Sequence, residues 1–280
     1  MKLPLILSDY PNLSVDDINK VSRFLSTKCS EYRFIDFMRC SNGNVKDAIE
    51  FFKFDDALRA LLIQYLIRFE IQVKTDFIKE VETATSSNSF WDNPSYYFKS
   101  STIPYYPDGK SKFDKIKEDI TQNLKRYAFN TPGPSDYRAL MFSSFGSFHN
   151  LFKNIDLPYK KKFIDRYTIK LPVHNYYVLN GYFSAIQAIR NRCAHGNHIV
   201  TIKLKNQLNA HINLIHKMNS PMPKINISVF DAVLIFLINV LNCGGEFKGK
   251  LKKIITKYSG VLFRYPGNYV FSPNIINKIL

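Results

Sequence analysis

Residues 54–81 read FDDALRALLIQYLIRFEIQVKTDFIKEV and carry the strongest helical pattern in the 280-residue chain. Apolar side chains recur every three or four positions, and neither proline nor glycine interrupts them, which predicts one amphipathic helix. Glu70 and Lys74 lie off the apolar face, four residues apart in the order that favours an ion pair. A helix of about 28 residues extends roughly 40 Å, so this segment is expected to form the backbone of the domain. The predicted apolar face includes Phe54, Leu58, Leu62, Phe69, Val73 and Phe77.

Helical patterns continue on both sides of this segment, so the predicted fold class is all-α. A kink is expected at Gly146, and a short strand could form at 198–202. Further helices are expected at about 15–25, 112–127, 136–154, 158–167, 174–194, 205–218, 228–242 and 247–258. The predicted organisation is an N-terminal helical extension over 1–50, a helical domain over 51–245 and a C-terminal helical tail over 246–280.

The composition is that of a folded and strongly basic chain. Hydrophobic residues make up 45% and aromatic residues 15%, which excludes an intrinsically disordered protein. The formal net charge is +16, and the sequence pI is about 9.6. This charge favours a polyanionic partner, with nucleic acid ahead of an anionic membrane. Lysines scattered over solvated faces would give the same total.

Cysteine usage and the most apolar run indicate a cytoplasmic protein without a membrane partner. The four cysteines are widely spaced and form no CxxC pair, which is typical of reduced thiols. Segment 228–242 is the most apolar, but it spans only about fifteen residues and contains Asp231, so we expect a buried core helix.

Residues 188–198 read AIRNRCAHGNH and close a predicted amphipathic helix. Asn191 and His195 are four residues apart, so their side chains lie one turn above the other, with Arg190 beside Asn191. Gly196 suits the left-handed turn that ends a helix. An imidazole transfers protons near neutral pH, and a guanidinium binds phosphate through paired donors. The alternative is a helix-end histidine that is stabilised by the helix dipole and has no chemical role.

This stretch resembles the Arg-x4–6-His motif of HEPN ribonucleases, in the form with a polar residue directly after the arginine. Residues 54–75 and the Ser-Phe-Gly signature at 144–154 are similar to the Abi-like (AbiD/AbiF) abortive-infection branch of that family. The three matches follow the family's order, and Tyr32-Arg33 fits its N-terminal region more loosely. Family members often carry a second histidine directly after the motif histidine, where this chain has Gly196 and then His198.

The resemblance implies a HEPN-type helical bundle that cleaves RNA without a metal, as an endoribonuclease of abortive-infection or toxin type. RNA supplies its own nucleophile, the 2′-OH, so the site has to move protons and stabilise charge on the phosphate. The catalytic residues are then Arg190, Asn191 and His195. His195 transfers a proton, Arg190 stabilises the phosphate, and Asn191 holds the imidazole or the phosphate. One histidine cannot easily serve both ends of the reaction, which favours a homodimer with a composite active site.

Further RNA-binding residues are expected in two places. Residues 84–112 mix tyrosines with lysines, and aromatic faces beside basic groups can stack single-stranded bases. Lys99 and Lys110 in this loop, and Arg192 and His198 near the motif, are the candidates. The alternatives are a loop whose aromatic residues pin it to the surface and, for Arg192, a solvated charge. Whether His198 substitutes for the family's second histidine stays open.

No metal and no cofactor are expected. Cys193, His195 and His198 have the spacing of metal ligands, but the sequence offers no fourth ligand nearby. The alternative function is a non-catalytic basic RNA-binding protein that holds a regulatory or antitoxin RNA. The expected partners are therefore RNA, a second copy of the chain, and an RNA or protein antitoxin.

Overall fold

The computed structural model describes residues 4–127, 138–169, 175–201 and 228–268. The protein is all-α, as the sequence predicts, and these four ranges contain no β-sheet. Two isolated backbone bridges, Tyr97 to Ile155 and Pro104 to Ser111, are the β-type pairings found there. The helix predicted at 205–218 lies outside the described residues.

Twelve α-helices are described, and we number them in chain order. They are α1 (Pro4–Asp9), α2 (Val15–Thr27), α3 (Glu31–Cys40), α4 (Val45–Thr85), α5 (Lys112–Tyr127), α6 (Arg138–Phe142), α7 (Phe145–Asn154), α8 (Leu157–Thr168), α9 (Tyr176–Ala194), α10 (Val229–Val240), α11 (Gly244–Lys257) and α12 (Ser259–Arg264). Single turns of 3-10 helix lie between α4 and α5, at Phe90–Asp92, Pro94–Tyr96 and Lys99–Ser101.

Helix α4 covers 41 residues and is longer at both ends than the sequence pattern predicts. The side chain of Asn44 accepts a hydrogen bond from the backbone N–H of Asp47 at 3.0 Å, which satisfies one of the free donors at the start of the helix. The predicted apolar face is buried, and Phe54, Phe69 and Phe77 are fully so. Burying such a side chain is worth about 1.5–3 kcal/mol, so packing stabilises this helix more than propensity does.

The chain divides into two compact units by its internal contacts. Of the described residues, unit 1 contains 4–65, 188–201 and 228–268, and unit 2 contains 66–127, 138–169 and 175–187. Helices α4 and α9 each contribute residues to both units. The three-part division expected from the sequence stays a prediction, because a grouping by contacts does not test which segments fold independently.

Unit 1 joins the N-terminal helices to the C-terminal segment. The Phe24 ring packs against Phe34 and Phe52 with centroids 5.3 and 4.9 Å apart. Buried Asp47 accepts two hydrogen bonds from Arg264 Nη1, at 2.6 and 2.7 Å, and a third from Tyr265 Oη at 2.8 Å. These bonds satisfy a carboxylate that would otherwise be costly to bury, and they fix the end of α12 on the start of α4.

Unit 2 explains the Ser-Phe-Gly signature as a packing device. Ser144 caps α7, since its hydroxyl accepts a hydrogen bond from the backbone N–H of Ser147 at 3.0 Å. Phe145 is buried, and a Cβ added to Gly146 would lie 3.0 Å from Gln187 Nε2 on α9. The kink expected at Gly146 is wrong, because α6 ends at Phe142 and the cap at Ser144 starts a new helix.

The predicted ion pair on α4 is confirmed, with Glu70 Oε1 and Lys74 Nζ 2.7 Å apart. The lysine of this pair is buried rather than solvated, however, since its side chain is only 3% exposed. Its ammonium also donates to the carbonyl oxygen of Ser143, directly before the cap of α7. A buried charge needs such partners, so this pair ties α4 to the turn between α6 and α7.

A second buried lysine lies on α8. The side chain of Lys160 is fully buried, and its ammonium donates to the carbonyl oxygen of Phe152 at 2.6 Å, in the last turn of α7. Burial lowers the pKa of Lys160 to about 7, and the negative charge of Asp156 opposes that shift. Through its hydrogen bond, the Lys160 ammonium satisfies backbone carbonyl groups that the end of a helix leaves without an intrahelical partner.

The most apolar run forms α10 in unit 1, as predicted, and most of its residues are buried. Asp231 sits at the third position of the helix and completes a capping box with Ser228, which explains a carboxylate in this run. Of the described helices, none combines the length and the hydrophobicity that a bilayer crossing requires.

Candidate active site

The sequence motif ends helix α9 in unit 1 with a defined turn. Gly196 has a φ of +68°, the left-handed conformation that glycine adopts without strain. The backbone N–H of Asn197 donates to the carbonyl of Arg192 at 2.9 Å, and that of Gly196 donates to Cys193 at 3.2 Å. This pair of bonds is the Schellman arrangement, which fixes the path of the chain at His195 and beyond.

Asp55 of α4 anchors the segment that follows the turn. Its side chain is 1% exposed, and its Oδ1 accepts hydrogen bonds from the backbone N–H groups of Ile199 and Val200 at 2.7 and 3.0 Å. These bonds occupy the donors that a strand would need, so the strand considered at 198–202 does not form over residues 198–201. Burial raises the pKa of Asp55, against the opposing effect of the two backbone donors.

Two arginines approach the turn. Arg59 Nε donates to Asp55 Oδ2 at 2.9 Å, and its Nη2 lies 2.6 Å from Asp56 Oδ1. A Cβ added to Gly196 would lie 3.8 Å from Arg59 Nη1 and 3.9 Å from Arg33 Nη1. The turn therefore lies beside two guanidinium groups, of which that of Arg59 is already paired with Asp55 and Asp56.

Arg33, which approaches the turn at Gly196, carries two buried hydrogen-bond donors. Its Nε and Nη2 are inaccessible to solvent and have no hydrogen-bond partner among the residues that the structure describes. Buried donors of a charged group are expensive to leave unpaired. The Arg33 atom that approaches Gly196 is Nη1, which is not one of these two buried donors.

His198 and Arg192 have partners within the protein. His198 Nε2 lies 2.9 Å from Asp36 Oδ2, and its ring packs edge-on against Phe37 at 5.7 Å. Burial lowers the pKa of His198, while the charges of Asp36 and Asp55 oppose that shift. Arg192 Nη1 donates to the carbonyl of His198 at 3.2 Å. Both side chains thus stabilise the turn in this structure.

Of the three candidate catalytic residues, Arg190 and Asn191 lie in the last turns of α9, and His195 directly follows the helix. Arg190 is partly buried, whereas Asn191 and His195 are exposed. The backbone N–H of His195 donates to the carbonyl of Asn191 at 3.0 Å, so the two side chains follow one another along the same face. An exposed imidazole on a fixed turn can reach a substrate and exchange protons with it.

The two candidate lysines belong to unit 2, whereas the motif residues Arg190, Asn191 and His195 belong to unit 1. Lys99 is exposed at the start of a 3-10 turn. Lys110 forms an ion pair with Glu118, which neutralises its charge locally.

Sequence reasoning did not select Arg33, Asp36, Asp55 and Arg59 as site residues. Arg33, Asp55 and Arg59 lie in segments that carry the family resemblance, and the spacing of Asp55 and Arg59 is that of an i, i+4 pair. Their role depends on contacts between residues far apart in the chain, such as the 144 positions that separate Asp55 from Ile199.

The ranges that the structure describes contain no group of three or more His, Cys, Asp or Glu side chains placed to hold a metal ion. Cys193, considered above as a ligand, is buried, and burial raises the pKa of its thiol to about 12. A thiol in this state is a poor ligand, because metals bind the thiolate.

Comparison with known proteins identifies the family of the chain. Searches of curated proteins and of solved structures each found no match. A family model described as Abi-like protein matches residues 23–201, which is more than half of the 280 residues. The matched range includes α4, the Ser-Phe-Gly segment and the turn at Gly196. The chain therefore belongs to the Abi-like protein family, whose name refers to abortive infection.

Proposed function

We propose that this protein is a metal-independent endoribonuclease that acts in abortive infection or as a toxin. The observation that supports it is an exposed imidazole, His195, on a turn that Asp55 anchors and two arginines approach. Proton transfer and phosphate stabilisation are the two functions that cleavage by the 2′-OH requires, and these side chains can supply both.

In the proposed mechanism the 2′-OH of the substrate attacks the adjacent phosphate. His195 exchanges the proton, either by accepting it from the 2′-OH or by donating one to the departing 5′-oxygen. Arg190 stabilises the negative charge that develops on the phosphate oxygens. Asn191 is exposed beside them and orients the imidazole or the phosphate. Arg33 adds positive charge beside the turn, whereas the charge of Arg59 is balanced by Asp55 and Asp56.

A second copy of the chain would complete this chemistry. One exposed histidine per chain serves one proton transfer, and a twofold homodimer would supply the second His195 and the second Arg190. The proposed dimer is checked by light scattering on the same preparation that is used for cleavage.

The test is cleavage of end-labelled RNA in the presence of a chelator. We expect the wild-type protein to cut RNA and to leave 2′,3′-cyclic phosphate ends. His195→Ala should reduce the rate by about 100-fold or more, because a positioned acid–base group contributes 10²–10⁴-fold. Arg23→Ala removes an exposed charge from α2 and serves as the control. An RNA with a 2′-deoxy nucleotide at the cut site should resist cleavage.

Two results would reject this mechanism. One is undiminished cutting by His195→Ala, and the other is equal cutting of the 2′-deoxy substrate. A protein that binds RNA tightly, with affinity that falls steeply as salt is added, but never cuts it would fit the alternative of a non-catalytic RNA-binding protein. The net charge of +16 is the observation that favours this alternative.

A further inference from the structure

Unit 2 contains a cavity of about 560 Å³ that the proposed cleavage mechanism does not use. It lies between the loop that follows α4, the first two turns of α5 and the last turn of α7. Cavities that bind small molecules span about 300–1,000 Å³, so this one has the size of a ligand site. Its lining includes Phe98, Tyr106, Lys112, Lys115, Asn150 and Lys153.

Positive charge dominates the lining. Lys115 is paired with Asp108 at 2.6 Å, and Asp119 is the acidic residue among those that line the cavity. Lys112 and Lys153 form no ion pair with any residue in the described ranges. Burial lowers the pKa of Lys153, and the neighbouring charge of Lys112 lowers it further. The charges of Lys112 and Lys153 disfavour one another at this cavity, so binding of an anion there would relieve the repulsion.

Aromatic and neutral polar groups complete the lining. The Lys115 ammonium lies 5.6 Å from the centroid of the Tyr106 ring, and Tyr106 is 37% exposed. Phe98 supplies a second ring, and the Asn150 side chain is exposed. Aromatic faces stack nucleobases, and amides can hydrogen-bond to sugars and to base edges.

Lys160 supports this wall from within unit 2. Its buried ammonium lies 5.0 Å from the Phe98 ring and donates to Phe152 at the end of α7. The same ammonium is 3.5 Å from the carbonyl oxygen of Lys153. The last carbonyls of a helix carry partial negative charge, which would repel an anion. Because Lys160 binds the carbonyl groups of Phe152 and Lys153, it offsets their partial negative charge. The end of α7 therefore repels an anion in the cavity less strongly.

We propose that this cavity binds a nucleoside phosphate. Lys112 and Lys153 would hold the phosphate, Tyr106 and Phe98 would stack the base, and Asn150 would contact the sugar or the base edge. The ligand is either a free nucleotide or one nucleotide of a single strand, since both present the same groups. The proposal does not depend on cleavage at His195.

Equilibrium binding to the full-length protein tests the site with three probes. These are adenosine 5′-monophosphate, inorganic phosphate, and a twelve-nucleotide deoxyadenosine strand with a 5′-phosphate, which has no 2′-OH to react. We expect adenosine monophosphate to bind at least about tenfold more tightly than inorganic phosphate, because stacking adds to the ionic contact. Tighter binding of the strand than of the mononucleotide would assign the site to single strands, and the reverse to free nucleotides.

Variants distinguish binding at this cavity from nonspecific attraction of the ligand to the positive charge of the protein. The double variant Lys112→Gln and Lys153→Gln should weaken binding about tenfold or more. Lys161→Gln removes one exposed charge from α8 and should change affinity less than about twofold. Tyr106→Ala should weaken binding of adenosine monophosphate but not of inorganic phosphate. Equal losses in Lys161→Gln and in the double variant would overturn the proposal, as would the absence of binding by all nucleotide probes.

Lysine footprinting on the wild-type protein gives a second measurement that needs no variant. Acetylation by a limiting reagent is followed by mass spectrometry, with and without adenosine monophosphate. Lys153 and Lys112 should be protected by the nucleotide, and Lys161 should not. Equal modification of all three lysines with and without the nucleotide would contradict the assignment.

Discussion

Two histidines next to helix α9, His149 and His195, differ in their exposure to solvent. In unit 2, His149 is 4% exposed, and its Nε2 and Nδ1 lie 2.8 and 3.1 Å from the side-chain oxygens of Asn180 and Gln187 on α9. In unit 1, His195 follows the last residue of α9 and is exposed. One imidazole is enclosed, and the other faces solvent.

The difference shows that burial and partners, more than residue type, decide what a histidine can do. Burial lowers the pKa of His149, and the hydrogen bonds with Asn180 and Gln187 oppose that shift. A neutral imidazole donates from one nitrogen and accepts at the other, so one of the two amides must turn its NH2 group to the ring. Such a ring specifies packing between α7 and α9. His195 keeps the solvent access that proton exchange with a substrate requires.

The largest effect is expected at Asp55, which holds the turn of the exposed histidine in place. Asp55→Ala leaves the backbone N–H groups of Ile199 and Val200 without their acceptor and removes a buried partner of Arg59. Losing one partner of such a buried network costs about 3–5 kcal/mol in the free energy of unfolding. Urea denaturation measures this loss, and cleavage should fall with it because His195 loses its fixed position.

Asp56→Ala is the matched control. The Asp56 side chain is 65% exposed and pairs with the same arginine, so its loss should cost less than about 1 kcal/mol. Similar losses in Asp55→Ala and Asp56→Ala would show that the turn is not anchored from α4, and the contrast between the two histidines would lose its structural basis.

Lys160 is a buried basic side chain like His149, and its burial likewise makes the stability of the protein depend on pH. The pKa of Lys160 is lowered to about 7, so above that pH the unfolded state binds more protons than the folded state. Stability should therefore rise with pH, by about 3 kcal/mol between about pH 7 and pH 9.5, since one pKa unit is worth about 1.4 kcal/mol. Lys160→Met should lack this contribution.

Comparing Lys160→Met with the wild type at each pH isolates this lysine. Buried cysteines oppose the trend at alkaline pH, because burial raises the pKa of Cys40 and Cys193 and the unfolded state then loses protons first. They do so equally in both proteins. Lys162→Met, on an exposed position of α8, should follow the wild-type curve. Parallel curves for the wild type and Lys160→Met would contradict the predicted linkage.

The regular elements could be predicted from the sequence because their signals are local. The apolar period from Phe54 to Phe77 predicts most of α4, and Gly196 predicts the end of α9. The break before α7 could not be placed by counting glycines. It falls at Ser144, whose hydroxyl caps the new helix, and Gly146 instead provides room for Gln187.

The surroundings of the candidate site could be predicted only in part. Asn191 and His195 are four residues apart, so their common face follows from the sequence, and Arg190 directly precedes Asn191. The approach of Arg33 to Gly196 requires the fold, because 163 positions separate these two residues along the chain (196 − 33). The partners of His149 likewise lie 31 and 38 positions away and follow no local pattern.

The smallest of these effects is expected at His149, and it tests the comparison directly. His149→Leu removes a buried ring whose two nitrogens contact Asn180 and Gln187, and it leaves these amides without that partner, at a cost of about 1–3 kcal/mol in the free energy of unfolding. His195→Ala, at an exposed position, should change stability by less than about 0.5 kcal/mol. Cleavage should show the opposite order, with the larger loss in His195→Ala.

The pH dependence of stability sharpens this contrast. Because the folded protein holds the pKa of His149 below 6.5, the unfolded state binds more protons as the pH falls through that value, and stability decreases. The positive charge of Lys153 also lowers the pKa of His149, so it adds to this loss of stability at low pH. Urea denaturation at about pH 7.5 and pH 5.5 should show a smaller loss in His149→Leu than in the wild type. Part of the wild-type loss should remain in that variant, because burial lowers the pKa of His198 as well. An unchanged loss would mean that His149 is not held neutral by its surroundings.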